Sequence, residues 1–220
     1  MQAEAGETTG KRFGYYARLS AKDKRIYRAS DAITEVPLPD VPALFPLVRA
    51  LAAALDLGKR PTVAKAANAL GDAVFAQLGV PPVRVRVREV RPNTEHGQLY
   101  GLYTFAHDGK PPQIEVWMRT AAHQRTVKLP TFLRTLAHEI AHHLDLTLFA
   151  LENSFHTVGF FRRESSLTRT LLRALPRPDR PARPAAAAPS SDAAPPRPPK
   201  PPKPPKPPKP VQLSLFDDAD

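Results

Sequence analysis

The chain has 220 residues, room for one ordinary domain plus extras, and its 32 lysines and arginines against 21 acids leave a formal charge of +11. That balance suits a polyanionic partner such as nucleic acid and equally suits solubility. It has no cysteine, which excludes disulfides, thiolate nucleophiles and cysteine-held zinc ribbons, so a metal has to be held by His, Asp or Glu.

Residues 1–12 read as a frayed leader and 13–175 as the folding unit. In LSAKDKRIYRASDAI, Ser20 with Asp23 three residues on signals the start of a short basic helix, packed down by Tyr15, Tyr16, Ile26 and Tyr27. Asp40 then caps a helix running to Leu57 and stopped by Gly58, and a second helix runs from about Thr62 to Leu78 and stops at Gly79. The period changes at 83–90, VRVRVREV, which alternates as a half-buried strand with Val83, Val85 and Val87 inward and Arg84, Arg86 and Arg88 outward. QLYGLYTFA (98–106), the turn HDGKPP and QIEVWMR (113–119) read as a hairpin, with Trp117 in the core, so a small, mostly antiparallel sheet is expected after the helices. From Pro130 a long helix covers TFLRTLAHEIAHHLDLTLFAL, and after a break at ENSFHTVG another begins near Phe160. The fold class is α+β. No apolar run is long enough for a signal peptide or a bilayer span, the longest being ALAAAL at 50–55, so a cytoplasmic protein without a membrane partner is expected.

Residues 176–210 contain 16 prolines and almost nothing apolar. Such a segment cannot build a core and is expected to be a disordered, polyproline-like basic linker, reaching on the order of 100 Å at about 3.1 Å per residue. The last ten residues, VQLSLFDDAD, regain apolar side chains and turn acidic.

The stretch TLAHEIAHHLD carries the chemistry. On a helix His138 and His142 lie one turn apart on one face, so both imidazoles reach a single tetrahedral ion, and Glu139 sits beside them, placed to hold the attacking water rather than the metal. This HExxH arrangement serves metal-assisted hydrolysis, with Glu139 as the general base. Leu136, Ile140, Leu144 and Leu151 already supply an apolar stripe, so the histidines are not needed for the core. His143 points elsewhere, to a supporting or surface position, and Asp145 is placed to orient a histidine. A catalytic zinc ion wants a third protein ligand: His156, fourteen residues after His142, and Glu164, eight residues further on, are the candidates. The longer metzincin pattern is absent, since position 148 is a leucine.

HEIAHHLD followed by HTVGFF resembles the SprT-like metallopeptidase family over residues 131 to about 172. The resemblance implies a zincin-like domain in which His138, His142 and His156 bind Zn2+ and Glu139 is the catalytic base. Two features depart from the family pattern: Thr157 follows the third histidine where glycine is more usual, and the cysteine ribbon of many members is missing. QLSLF is similar to the peptide by which bacterial polymerases and repair proteins dock on the replicative sliding clamp. That likeness implies Gln212 at the rim, Leu213, Leu215 and Phe216 in apolar pockets, and Ser214 between them. A long tether is where such an anchor belongs.

Together these readings lead to an endopeptidase that acts on DNA-associated or DNA-crosslinked protein, with the clamp and DNA as partners. The alternatives are a peptidase that cuts one transcriptional repressor in a stress response, and a non-catalytic zinc-containing adaptor. The arginine row 84, 86, 88 with Arg91, and the linker lysines, are secondary candidates for phosphate contact. The QIEVWMR strand is a candidate edge strand for an extended substrate.

Overall fold

The computed structural model describes residues 13–94 and 97–176, with no side-chain description over 93–98. The leader 1–12, nearly all of the proline-rich linker, and the docking residues Gln212, Leu213, Ser214, Leu215 and Phe216 lie outside the described residues.

After a 3-10 turn over Gly14–Arg18, helix α1 spans Ala21–Ala32, and Ser20 caps it by accepting from the Asp23 N–H at 3.1 Å. Helix α2 spans Val41–Leu57, opened by Asp40, which accepts from the Ala43 N–H, and closed by Gly58 at φ 64°. That left-handed position favours a residue without a Cβ. Helix α3 spans Arg60–Leu78, two residues earlier than expected, because Pro61 fits the first turn, where its missing N–H is no loss.

Strand β1 spans Arg84–Val90, the short strands β2 (Asn93–Thr94) and β3 (Gly97–Gln98) pair with each other, and β4 (Gly101–Thr104) and β5 (Gln113–Arg119) form the expected hairpin. The main sheet has the order β1-β5-β4, with β5 antiparallel to β4 but parallel to β1. It is therefore mixed rather than mostly antiparallel. The side chains explain the arrangement: Ile114, Val116 and Met118 on one face of β5 are fully buried, and Trp117 on the other is nearly so. With one face fully buried and Gln113 and Glu115 half-buried on the other, β5 suits the middle of the sheet. QIEVWMR is consequently not an edge strand, and both of its ladders are taken.

Helices α3 and α4 (Leu129–Thr147) cover the sheet face that carries Val85, Val87, Ile114, Val116 and Met118; α2 packs on α3, and α5 (Val158–Leu172) on α4. Helix α4 ends sooner than expected. The N–H groups of Leu148 and Phe149 both reach the Leu144 carbonyl and Ala150 takes φ 49°, so Leu151 falls beyond the helix and outside its stripe.

Helix α1 seals the far side of α5 at very close range. A Cβ on Gly159 would run into the carbonyl oxygens of Ser30 and Asp31, while the Gly159 N–H donates to Asp31 Oδ1 at 2.7 Å. Beside this seam the Arg163 guanidinium, wholly buried, donates to the carbonyls of Ser30 and Ile33 and to Asp145 Oδ1 at 2.7 Å. Among the described residues no helix is long and apolar enough to cross a membrane.

Candidate metal centre

Helix α4 presents His138 and His142 one turn apart, and the chain leaving it loops back so that His156 stands just ahead of Thr157, the residue that caps α5 by accepting from the Phe160 N–H at 2.9 Å. Phe161 stacks on the His156 ring at 5.6 Å, and the Tyr15 hydroxyl donates to the His156 carbonyl at 3.0 Å. The three Nε2 atoms converge: 3.3 Å between His138 and His142, 3.1 Å between His156 and His138, and 3.2 Å between His156 and His142.

Proton accounting shows that two of these contacts are not explained by hydrogen bonds. Glu164 Oε2 lies 2.9 Å from His138 Nδ1, and a carboxylate only accepts, so the proton of His138 is on Nδ1. Ser154 gives its single hydroxyl proton to Asp145 Oδ2 at 2.8 Å, so its oxygen accepts from His142 Nδ1, 2.7 Å away. In their neutral forms both rings therefore turn a bare Nε2 lone pair toward each other, and the one remaining ring cannot protonate both. Burial pushes the His142 imidazole well below its ordinary pKa, with His138, His156 and Arg163 adding to the effect; burial and His138 bring His156 down to about 4 against the pull of Glu164. Neutral, converging lone pairs repel unless a cation sits among them. The donor set fits a metal ion.

Glu139 is 5% exposed. Burial raises its carboxyl to about 7, opposed by His138 and by the Tyr103 backbone N–H that reaches it. Strand β4 lies hard against this group: a Cβ on Gly101 would collide with Glu139 Oε1 and with Thr135 Cγ2. A carboxyl poised near neutrality is matched to taking a proton and giving it back.

His143 is buried, not superficial. Its Nε2–H donates to the Pro81 carbonyl at 2.9 Å, which leaves Nδ1 to accept from the Tyr103 hydroxyl at 3.0 Å, and the Tyr103 ring lies nearly parallel to His142 at 6.3 Å. Burial moves the Tyr103 hydroxyl up to about 12, so it stays a proton donor. Glu164, the rival third ligand, is brought to the back of His138 instead, where Arg134 Nε also donates to it at 2.8 Å. Asp145 orients His142 through Ser154. Arg91 departs from the expected outward row: it is buried, with its guanidinium 4.2 Å from the centre of the Tyr100 ring. Arg84, Arg86 and Arg88 are exposed as expected.

The sequence does not mark the roles of Ser154, Arg163 and Tyr103 or the reach of Tyr15, expected only to pack the first helix, to the His156 carbonyl. No spacing rule marks a lone serine in a loop, whereas Gly101 inside a strand is a recognisable sign of close approach. Ser154→Ala is expected to weaken divalent-metal binding by roughly 10- to 100-fold, measured by competition with a chromophoric chelator, because His142 Nδ1–H loses its acceptor. Unchanged affinity would show that Ser154 does not hold the ring. Comparison with known protein families, curated proteins and solved structures finds no match to this chain.

Proposed function

We propose that the protein is a zinc-dependent endopeptidase, a SprT-like metallopeptidase of zincin-like layout acting on DNA-associated or DNA-crosslinked protein. The observation that carries the reading is the convergence of three imidazole Nε2 atoms, 3.1 to 3.3 Å apart, beside a buried carboxyl raised to about 7. His138, His142 and His156 would hold the ion. When bound, zinc supplies a Lewis acid that polarises the scissile carbonyl and makes water nucleophilic at neutral pH.

Glu139 takes the proton from the attacking water and passes it to the amine as the C–N bond breaks. Glu164 and Ser154 keep the lone pairs of two ligands aimed inward, and Tyr103 and Phe160 wall the site with rings that limit access of bulk water. The outer strand beside Glu139 is β4, and an extended substrate would pair with its backbone groups other than the Tyr103 N–H, which Glu139 takes.

The full chain is expected to retain about one zinc and to cleave an unfolded protein, both lost on chelation and restored by zinc. His156→Ala should retain no stoichiometric metal, while Glu164→Gln should keep it with affinity lowered about 10- to 100-fold. A chain that holds no divalent cation, or cleavage indifferent to chelation, removes the reading.

Recruitment by the sliding clamp rests on QLSLF alone. Leu215→Ala combined with Phe216→Ala is expected to abolish binding to a purified clamp and to leave cleavage of a free protein intact. Equal binding by both chains, read by surface plasmon resonance, would remove the clamp from the proposal.

A further inference from the structure

The face of the sheet turned away from α3 and α4 plays no part in the metal centre. Along it β1 presents Arg84, Arg86 and Arg88, about 6.7 Å apart at successive outward positions, a spacing on the scale of consecutive phosphates in an extended strand. Register sets Gln113, Glu115 and Trp117 of β5 beside them, and Thr104 and Leu102 of β4 beyond. Glu115 is the one carboxylate among the described strand residues of this face, and Arg88 Nε donates to it at 2.9 Å. Arg84 and Arg86 have no acidic partner among the described residues. A face shaped only for solubility would interleave the two signs, as the Arg60–Glu89–Arg119 cluster at the end of the same strand does.

Beyond the row stands Tyr100, next to β4 and 46% exposed. The Arg91 guanidinium lies over its ring, and Arg91 Nε and Nη2, buried, have no hydrogen-bond partner among the described residues. A buried cation with idle donors is costly and raises the local positive potential. Arginines in file with an adjacent open aromatic ring are what a flexible polyanion with flat bases requires.

We infer that this face binds a single-stranded nucleic acid, its phosphates running along Arg84, Arg86 and Arg88 and a base stacked on Tyr100. A duplex would satisfy the arginines but keeps its bases stacked away from the ring. Strand β4 joins the two sites: Gly101 and Tyr103 face Glu139 and α4, while Leu102 and Thr104 face the nucleic-acid side. The inference rests on none of the peptidase chemistry, although it would bring a protein attached to that strand toward the β4 edge.

The test is fluorescence anisotropy of the full chain with a labelled oligothymidylate over a range of salt. Arg84→Gln with Arg86→Gln is expected to weaken binding at least about tenfold and to reduce the slope of log affinity against log salt by about 1.4, the share of two phosphate contacts at roughly 0.7 each. Lys65→Gln with Arg169→Gln, exposed on α3 and α5, removes the same charge and is expected to stay within about twofold of the parent. Tyr100→Ala is expected to lose about fivefold or more, and Tyr100→Phe much less. Thermal melts establish that each variant is folded. Equal losses from the two charge pairs, parental binding by Tyr100→Ala, or tighter binding of a duplex of the same length would each overturn the inference, and because no cleavage is read, failure of the peptidase proposal leaves the result interpretable.

Discussion

Glu139→Gln is expected to keep the metal content of the protein and, on the proposed peptidase function, to lower cleavage of an unfolded substrate by roughly 10²- to 10⁴-fold. Glutamine fills the same volume against Gly101 and Thr135, and its side-chain oxygen still accepts from the Tyr103 N–H, so the site keeps its shape. What it loses is a group able to carry a proton. The carboxyl is suited to that task because burial holds it near 7, where both protonation states are populated at neutral pH. Metal content by atomic absorption and turnover on the same sample separate the possibilities. Undiminished turnover would remove Glu139 from the chemistry, while loss of metal would make it a structural support of the histidines.

Arg163→Met is expected to cost about 3–5 kcal/mol of stability, a fall in Tm on the order of 10 °C for a domain of this size, followed by denaturant or thermal unfolding. The guanidinium is wholly buried, and burial already lowers its affinity for a proton against the pull of Asp145. Its removal strands a carboxylate in the interior and strips the last turn of α1 of donors to Ser30 and Ile33. Adding Asp145→Asn should recover part of the loss, because the uncompensated charge goes with it, and a purely additive double variant would mean that the two residues act independently. A smaller second effect is expected in metal affinity, since Asp145 holds Ser154 and Ser154 holds His142.

Short-range physics was readable directly from the residues. Ser20 and Asp40 cap helices because a side-chain oxygen reaches an N–H three residues away, and Gly58 and Gly79 end them because the left-handed turn favours glycine. The alternation of Val83 to Arg88 fixed which side chains of β1 face the core, and HExxH placed two imidazoles on one turn. His156 joined them, as the spacing and the resemblance both suggested. The choices that sequence left open depend on partners far away along the chain. Whether β1 pairs with β4 or β5 is decided by which strand is the more deeply buried, and the path of Arg91 by where Tyr100 comes to rest. Glu164 reads as a possible ligand until the position of α5 against α4 shows it behind the His138 ring.

The contact between Tyr15 and the His156 carbonyl joins residues 141 positions apart. Two ligands are finished as soon as α4 winds up, yet the third is steadied only when the beginning of the domain meets its end. Such distant closures come late in folding, so loading of an ion would report that the whole domain has been assembled, and a chain halted on the ribosome before α5 emerges would carry no finished metal centre.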